Sequence, residues 1–221
     1  MRRRVERFWL ALLVAAPLAA AADWPQVAEP EDARSEWVSK HMIYNGIPMR
    51  ASRFTSSQSV QQVLEFYNRQ WPGQTVVHVV GPKTVVGHAE RMHFVTIEIE
   101  ARGSGSQAQV GIVELGKDKP RQPPGADFLK PGGTQVVNDI QYLDNPGRTL
   151  AMENTLSPFQ SESFYRSRLP AEGWQLDGNA TPCSMIANSC VARYSKGKQE
   201  MTMTFSRHEQ GTSIVVNQTQ H

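Results

Sequence analysis

Cysteines and long apolar runs are scarce in this chain of 221 residues, and each scarcity excludes a class of protein. The one long apolar run, residues 8–22, is shorter than the ~20 residues that a membrane-spanning helix needs. We therefore expect no transmembrane helix in the mature chain. The two cysteines have no histidines near them in the sequence, which excludes a zinc site built on cysteine ligands.

The start of the chain has the form of a secretory signal. Arginines come first, the apolar run follows, and Ala20, Ala21 and Ala22 offer the small residues that a signal peptidase requires. We expect cleavage before Asp23. Residues 1–22 would then be a signal peptide, and the mature protein would be periplasmic or extracellular.

The mature chain, without residues 1–22, also has no excess of basic charge. Four of the 23 basic residues and one of the 21 acidic residues lie in residues 1–22, which leaves 19 basic and 20 acidic residues in the mature chain. No mature segment concentrates lysine and arginine in the way that a nucleic-acid-binding surface does. We therefore expect no nucleic-acid binding.

The two cysteines that are present, Cys183 and Cys190, predict a structural disulfide. An exported chain meets an oxidising compartment, where such a pair is normally oxidised. The spacing is not the Cys-x-x-Cys of redox motifs. The bond would close a loop of eight residues.

The sequence recurs when it is shifted by 98 residues. The shift aligns eight identical residues within a window of 35, where average residue usage gives roughly two. Further along, a shift of 106 aligns residues 95–99 with 201–205, which implies an eight-residue insertion around the cysteines. The identical pairs are Val38 and Val136, Tyr44 and Tyr142, Pro48 and Pro146, Ser59 and Ser157, Gln62 and Gln160, Phe66 and Phe164, Tyr67 and Tyr165, and Pro72 and Pro170.

This recurrence predicts an α+β fold made of two tandem copies of a strand–helix–antiparallel-sheet unit after a cleaved signal peptide. The first α+β repeat would span residues 23–116. The second, with its disulfide loop, would span residues 134–221. Residues 117–133 are rich in proline and glycine and predict a linker, because proline fixes φ and removes a backbone donor.

Each copy carries a helix start signal and an alternating strand pattern. The sequence Ser-x-x-Gln at residues 59–62 and again at 157–160 predicts a capping box at the start of a helix. Apolar and polar residues alternate in residues 93–101 and 199–207, which indicates antiparallel strands with one wet face. The helix would cover the dry face.

The second helix differs from the first in its apolar stripe. Val63 and Leu64 of the first copy are replaced by Ser161 and Glu162 in the second. The thinner stripe predicts a helix that buries less surface or presents its aromatic side chains to a partner, whereas recurrence of the aromatics in both copies favours core packing. The candidate partner-binding residues are Phe159, Phe164 and Tyr165.

Candidate chemistry is sparse. We find no nucleophile elbow, zinc-protease helix, phosphate loop or dinucleotide fingerprint, so we predict no catalytic residue and no cofactor. His78, His88 and His93 lie on predicted neighbouring strands and are candidate metal ligands, with solvated histidines as the alternative. Glu98 and Glu100 share one strand face, and we interpret them as residues of the wet face.

The chain has a Phe-Tyr pair near the end of each predicted helix and the pair Gly173-Trp174 after the second helix. In these features it resembles small α+β units that occur in bacterial envelope proteins. The duplication without catalytic residues, together with open sheet edges, leads us to expect an exported, non-catalytic binding or assembly protein of the bacterial cell envelope, such as an accessory of a secretion or surface-appendage system. Its partner would be another envelope protein, because open sheet edges accept strands. The alternative is a small-ligand or metal-binding domain or an enzyme, with a site between the two repeats.

Overall fold

A computed structural model describes residues 24–116, 120, 122–178 and 182–221. The expected signal peptide at residues 1–22 and part of the expected linker, residues 117–119 and 121, lie outside the described residues. We refer to residues 24–116 as the first half of the protein and to the described residues from 122 onward as the second half.

Strands dominate both halves. The first half contains strands β1 (Arg34–Tyr44) and β2 (Ile47–Ser56), helix α1 (Val60–Gln70), and strands β3 (Thr75–Val80), β4 (Lys83–Glu90), β5 (His93–Arg102) and β6 (Gly105–Glu114). The second half contains strands β7 (Gln135–Tyr142) and β8 (Gly147–Asn154), helix α2 (Pro158–Arg168), a 3-10 turn (Leu169–Glu172), and strands β9 (Gln175–Leu176), β10 (Ser189–Lys196), β11 (Gln199–His208) and β12 (Gly211–Gln220).

All twelve described strands belong to one antiparallel sheet with the order β3-β4-β5-β6-β2-β1-β7-β8-β12-β11-β10-β9. Strands account for 53% of the described residues and helices for 14%. The expected α+β fold class, with two tandem strand–helix units, is therefore wrong. The protein is mainly β, and its two halves share a single sheet.

The two halves meet where β1 pairs with β7. Three residue pairs form this antiparallel join: Met42 with Tyr142, Ile43 with Gln141, and Tyr44 with Ile140. Read outward from the join, the strand order of the two halves corresponds, with β1 matching β7 and β3 matching β9. The pairing joins strands from two distant segments, and the residue pattern within either segment carries no signal for it. The division into two separate domains stays a prediction.

Both helices begin at the capping boxes that the sequence predicts. The Ser59 hydroxyl accepts a hydrogen bond from the Gln62 backbone N–H at 3.3 Å, and the Gln62 side chain accepts one from the Ser59 N–H at 2.9 Å. Ser157 and Gln160 repeat this exchange at 3.2 and 3.0 Å. These reciprocal bonds satisfy backbone donors that a helix start would otherwise leave unpaired.

Helix α2 is buried in spite of its polar stripe. Ser161 and Glu162 are almost completely inaccessible to solvent. The Ser161 hydroxyl donates to the Asn154 side-chain oxygen at 3.2 Å, and Glu162 forms an ion pair with Arg166 at 2.5 Å. The expectation of a less buried second helix is therefore wrong, because these polar groups find partners inside the protein.

Candidate functional site

The helices leave one face of the sheet open. Along β5, the residues His93, Val95, Ile97 and Ile99 are buried on the side of helix α1. The alternate residues point the other way, since successive side chains of a strand lie on opposite faces. We call this second side the open face, and among the described residues no helix packs on it.

Polar side chains form two rows across the open face in the first half. The strand register sets Glu98, Gln109, Arg53 and Glu36 opposite one another on β5, β6, β2 and β1. The next row, two residues along each strand, contains Glu100, Gln107, Thr55 and Arg34. Residues directly opposite one another on neighbouring strands lie within side-chain contact. The register therefore gathers residues from four strands into one polar surface.

Charges of opposite sign pair within this surface. The Lys83 ammonium lies 2.6 Å from a Glu98 carboxylate oxygen, and the Arg53 guanidinium lies 2.5 Å from Glu36. The hydrogen bond to Glu98 raises the pKa of Lys83 above its usual value, and the carboxylate charge adds to this effect. Both ion pairs are partly exposed, so they fix side-chain positions more than they stabilise the fold.

A surplus of cations lies at one end of the same surface. The Arg34 side chain makes no hydrogen bond or ion pair with any described residue, although its backbone pairs with Thr55 in the β1–β2 ladder. Among the described residues, the Arg102 guanidinium donates only to the Gln107 side-chain oxygen, at 3.1 Å, while the Gln107 amide donates to Glu100. Neither guanidinium therefore forms a direct ion pair with a described carboxylate.

These residues line a cavity of about 690 Å³ on the open face, which we call the groove. Its charged lining residues are four cations and three carboxylates, and glutamine, serine and threonine side chains complete the polar wall. The charged residues are Arg34, Arg53, Lys83, Arg102, Glu36, Glu98 and Glu100. Such an arrangement can hold a charged, hydrogen-bonding ligand through several contacts at once.

An apolar row runs beside the polar rows on the open face. The register sets Phe94, Val113, Met49, Met42 and Tyr142 opposite one another on five consecutive strands. The row crosses from the first half into the second at the β1–β7 join.

Glycines let the larger side chains of this row lie flat on the sheet. A Cβ atom added at Gly87 would lie 2.9 Å from the Phe94 ring, and one added at Gly111 would lie 2.8 Å from the Met49 methyl group. Contacts this short exclude a side chain at either position without a shift of its neighbour.

The three candidate metal-binding histidines are not brought together. His78 pairs with Val85 and lies on the open face, whereas His88 and His93 lie on the face covered by α1. The His88 ring stacks on Trp71 at 4.3 Å, and its Nδ1 lies 3.0 Å from a backbone carbonyl oxygen. In the described part of the chain, no group of three or more histidine, cysteine, aspartate or glutamate side chains could hold a metal ion.

The three candidate partner-binding aromatics differ in exposure. Tyr165 is fully buried in the core of the second half, and Phe164 packs edge-on against it at 5.3 Å. Phe159 is 36% exposed. Of the three, only Phe159 therefore offers a substantial free surface to a partner, and its role stays a prediction.

The expected disulfide between Cys183 and Cys190 is present. Cys183 is buried, and Cys190 packs against the same core cluster of the second half. The bond therefore ties the loop before β10 to the core.

Further cavities are each lined by one half of the protein. A cavity of about 570 Å³ lies between the N-terminal segment and the sheet of the first half, with Trp24, Trp37 and Arg50 in its wall. Another, of about 260 Å³, is lined by residues of the second half. None of these cavities has the position between the two repeats that the alternative function would require.

Of the groove residues, the sequence singles out only Glu98 and Glu100, and these only as residues of the wet face. The signal of the others is weak: Arg53 and Thr55 alternate with buried residues on β2, and Gln107 and Gln109 do so on β6. Alternation assigns a residue to a face, but only the register of neighbouring strands shows that these faces form one surface.

In the part of the chain that the structure describes, the geometry defines a mainly β protein with one antiparallel sheet, two α-helices on one face and a polar groove on the other. No family model, curated protein or solved structure matches the chain. Among the described residues, no helix is both long and apolar enough to cross a membrane.

Proposed function

We propose that this protein is an exported, non-catalytic binding protein of the bacterial cell envelope, and that its groove holds an extended, acidic polypeptide segment of another envelope protein. The observation that carries the proposal is the charge of the groove, where four cations face three carboxylates. The surplus lies at Arg34 and Arg102, neither of which has a carboxylate partner among the described residues. A carboxylate-bearing segment supplies the missing partners.

The pairing of the groove carboxylates supports a binding role. Glu98 and Glu36 each contact a cation at 2.6 Å or less. These ion pairs hold charges in set positions on the groove wall. A fixed pattern of charges steers and orients a partner of complementary charge, as a recognition surface does.

The disulfide supports a location outside the cytosol. Structural disulfides persist in oxidising compartments and are rare in the cytosol, where thiols are kept reduced. The bond between Cys183 and Cys190 fits this rule. The cleaved signal peptide at residues 1–22 would supply the route of export.

The groove can be tested with a display library of random peptides that is panned against the mature protein. We expect enrichment of peptides that carry aspartate or glutamate. The double substitution Arg34→Glu and Arg102→Glu should weaken binding of an enriched peptide by about tenfold or more, because two attractive charges become repulsive. Higher salt should weaken binding to the unchanged protein, since the groove is exposed to solvent.

A control with the same change in charge is available in the second half. Lys198→Glu with Arg207→Glu alters two exposed cations away from the groove, and it should leave peptide affinity unchanged. The proposal fails if the library yields no acidic peptides, or if both double variants weaken binding equally.

A further inference from the structure

Strand β3 forms one outer edge of the sheet, and its valines are unusually exposed. It pairs with β4 on one side, and no described residue pairs with it on the other. Val76, Val79 and Val80 are 59%, 76% and 62% exposed. An exposed edge strand of this composition is a template for pairing with another strand.

The devices that normally protect a sheet edge are missing from β3. Its six residues, Thr75–Val80, contain no lysine, no other charged residue and no proline. Its register with β4 is continuous, without a bulge. An uncharged, valine-rich edge without a bulge is the kind that proteins otherwise cover or interrupt.

The opposite edge of the sheet is protected. Strand β9 has only two residues, which pair with Tyr194 and Ser195 of β10. Beyond them, β10 carries the charged Arg193 and the disulfide-bonded Cys190. Short edge strands and charged edge residues both discourage further pairing. Of the two edges, β3 alone is therefore suited to accept a strand.

The hairpin between β3 and β4 sets which backbone groups point outward. Val80 and Lys83 flank a two-residue turn at Gly81 and Pro82 and form a directly opposed pair. Residues that flank such a turn exchange hydrogen bonds with each other, and bonded pairs then alternate along the hairpin. Val77 and Val79 therefore direct their N–H and C=O groups toward the free edge.

We propose that a second copy of this chain covers the edge, with the two β3 strands antiparallel and His78 opposite His78 of the second copy. When two edge strands pair, a residue whose backbone N–H and C=O groups point toward the free edge must lie opposite another residue of the same kind. Centring the pair on His78 meets this condition, because Val77 then faces Val79. On the other face Val76 lies opposite Val80, so four of the five pairs match valine with valine.

The choice of a second copy rests on charge and on closure. Because β3 has no charged residue, pairing it with itself sets no like charges opposite each other. A two-fold β3–β3 contact hides both unprotected edges and leaves only the two β9 edges outermost, so the assembly ends at two copies. The β1–β7 join within the chain is an antiparallel contact of the same kind.

This inference goes beyond the proposed function, because the groove and the β3 edge are different surfaces. The groove residues lie on the open face, whereas β3 pairs through its backbone. Loss of peptide binding would leave the dimer intact, and loss of the dimer would leave acidic peptides able to bind the groove.

Disulfide cross-linking tests the register directly. In the proposed pairing, His78 and its counterpart form a non-hydrogen-bonded pair with Cα atoms about 4.5 Å apart, within the span of a disulfide. We expect mildly oxidised mature protein with His78→Cys to run as a covalent dimer on a non-reducing gel. The matched control is Val76→Cys, whose counterpart would lie roughly 13 Å away along the partner strand, and it should stay monomeric on the same gel.

Sedimentation of the mature protein provides a second measurement. Val79→Pro removes one outward-pointing N–H per copy without removing a donor to β4, and it should raise the dimer dissociation constant by about tenfold or more. Val79→Thr keeps the donor and the β-branched shape and should preserve the dimer. Far-UV circular dichroism establishes that both variants are folded.

Several results would overturn the inference. The first is that the unsubstituted protein remains monomeric at high concentration. The second is that the Val76→Cys and His78→Cys variants cross-link equally. The third is that the folded Val79→Pro variant still forms the dimer. Cross-linking of His78→Cys to a different protein, with the chain itself monomeric, would assign the edge to that protein instead.

Discussion

Tyr67 and Tyr165 occupy matching surroundings beneath the two helices. Both are fully buried, and burial raises the pKa of both phenols. Neither hydroxyl has a hydrogen-bond partner among the described residues. Because an unpaired buried hydroxyl is unfavourable, Tyr67→Phe and Tyr165→Phe should each leave the free energy of unfolding unchanged or raise it by up to about 1 kcal/mol. Urea denaturation of the mature protein measures this quantity.

The rings themselves, in contrast, are essential to the core. Tyr165 packs edge-on against Phe164 and contacts Phe205, with ring centroids 5.3 and 5.9 Å apart. Tyr165→Ala should therefore cost about 3–5 kcal/mol, through lost contacts and a residual cavity. If Tyr165→Phe also cost more than about 1 kcal/mol, the hydroxyl would have a partner that the described residues do not supply.

Single residues could be predicted from the sequence where one pattern decides their place. Recurrence favoured packing for Tyr67 and Tyr165, and the structure confirms that both are buried. Arg34 and Arg53 could not be singled out, because nothing along the sequence separates a groove arginine from any other exposed arginine. Their meeting in one surface depends on strand register across β1 and β2.

Helices and regular strands could be predicted because each carries a local signal. The capping boxes mark both helix starts, and strict alternation marks β5 and β11. Strands β1 and β7 lack this signal. Register shifts interrupt β1 on either side of Ser39 and interrupt β7 between Val136 and Asn138. A bulge moves the following side chains to the other face, so the period of two is lost.

The disulfide loop is an element whose contribution to stability can be measured. The bond joins residues seven apart in the sequence. On the chain-entropy account, a loop this short stabilises the fold by about 2–3 kcal/mol, because the bond restricts the unfolded chain. We expect Cys183→Ser with Cys190→Ser to lower the free energy of unfolding by this amount. Reduction of the unchanged protein should have a similar effect, and an unaltered urea midpoint in both experiments would contradict the prediction.

At the scale of the whole molecule, the sequence predicted two units where the structure has one sheet. The recurrence itself is visible in the element bounds, since α1 and α2 are 98 residues apart and β5 and β11 are 106 apart. The recurrence, however, carries no information about contacts between the two parts. These contacts form through β1 and β7, the two strands whose pattern is interrupted. The error in fold class therefore follows from the failure to detect these two strands.

An ion cluster lies beside the join between the halves, with a buried Arg148–Asp139 pair at its centre and the exposed Asp127 at its rim. Arg148 donates two hydrogen bonds of 2.8 Å to Asp139 on β7, and it also contacts Asp127 at 2.8 Å. The backbone N–H of Asp139 donates to the side chain of Asn45, in the turn between β1 and β2, at 2.8 Å. The Asp139 carboxylate accepts a further bond from the Gly125 N–H at 2.7 Å. Asp139 thus links the β1–β2 turn of the first half with Gly125 and Arg148 of the second half.

Removing the arginine should destabilise the protein, because the buried Asp139 would lose its only ion-pair partner among the described residues. Breaking one side of such a pair costs about 3–5 kcal/mol, so we expect Arg148→Ala to lower the free energy of unfolding by this amount. Arg148→Lys keeps the charge but not the paired donors, and it should recover only part of the loss. Equal stability of all three proteins would show that the join does not depend on this cluster.

Arg148 also influences how the stability of the protein changes at acid pH. Its hydrogen bonds lower the pKa of Asp127 below the ordinary value of 3.8. A carboxyl group with a lowered pKa in the folded state contributes stability above its unfolded pKa, and it loses that contribution as the pH falls through the folded value. Urea midpoints measured from pH 5 downward should therefore fall less steeply for Arg148→Ala than for the unchanged protein. An identical slope would mean that Asp127 keeps its lowered pKa without the guanidinium, and hence that Arg148 is not its cause.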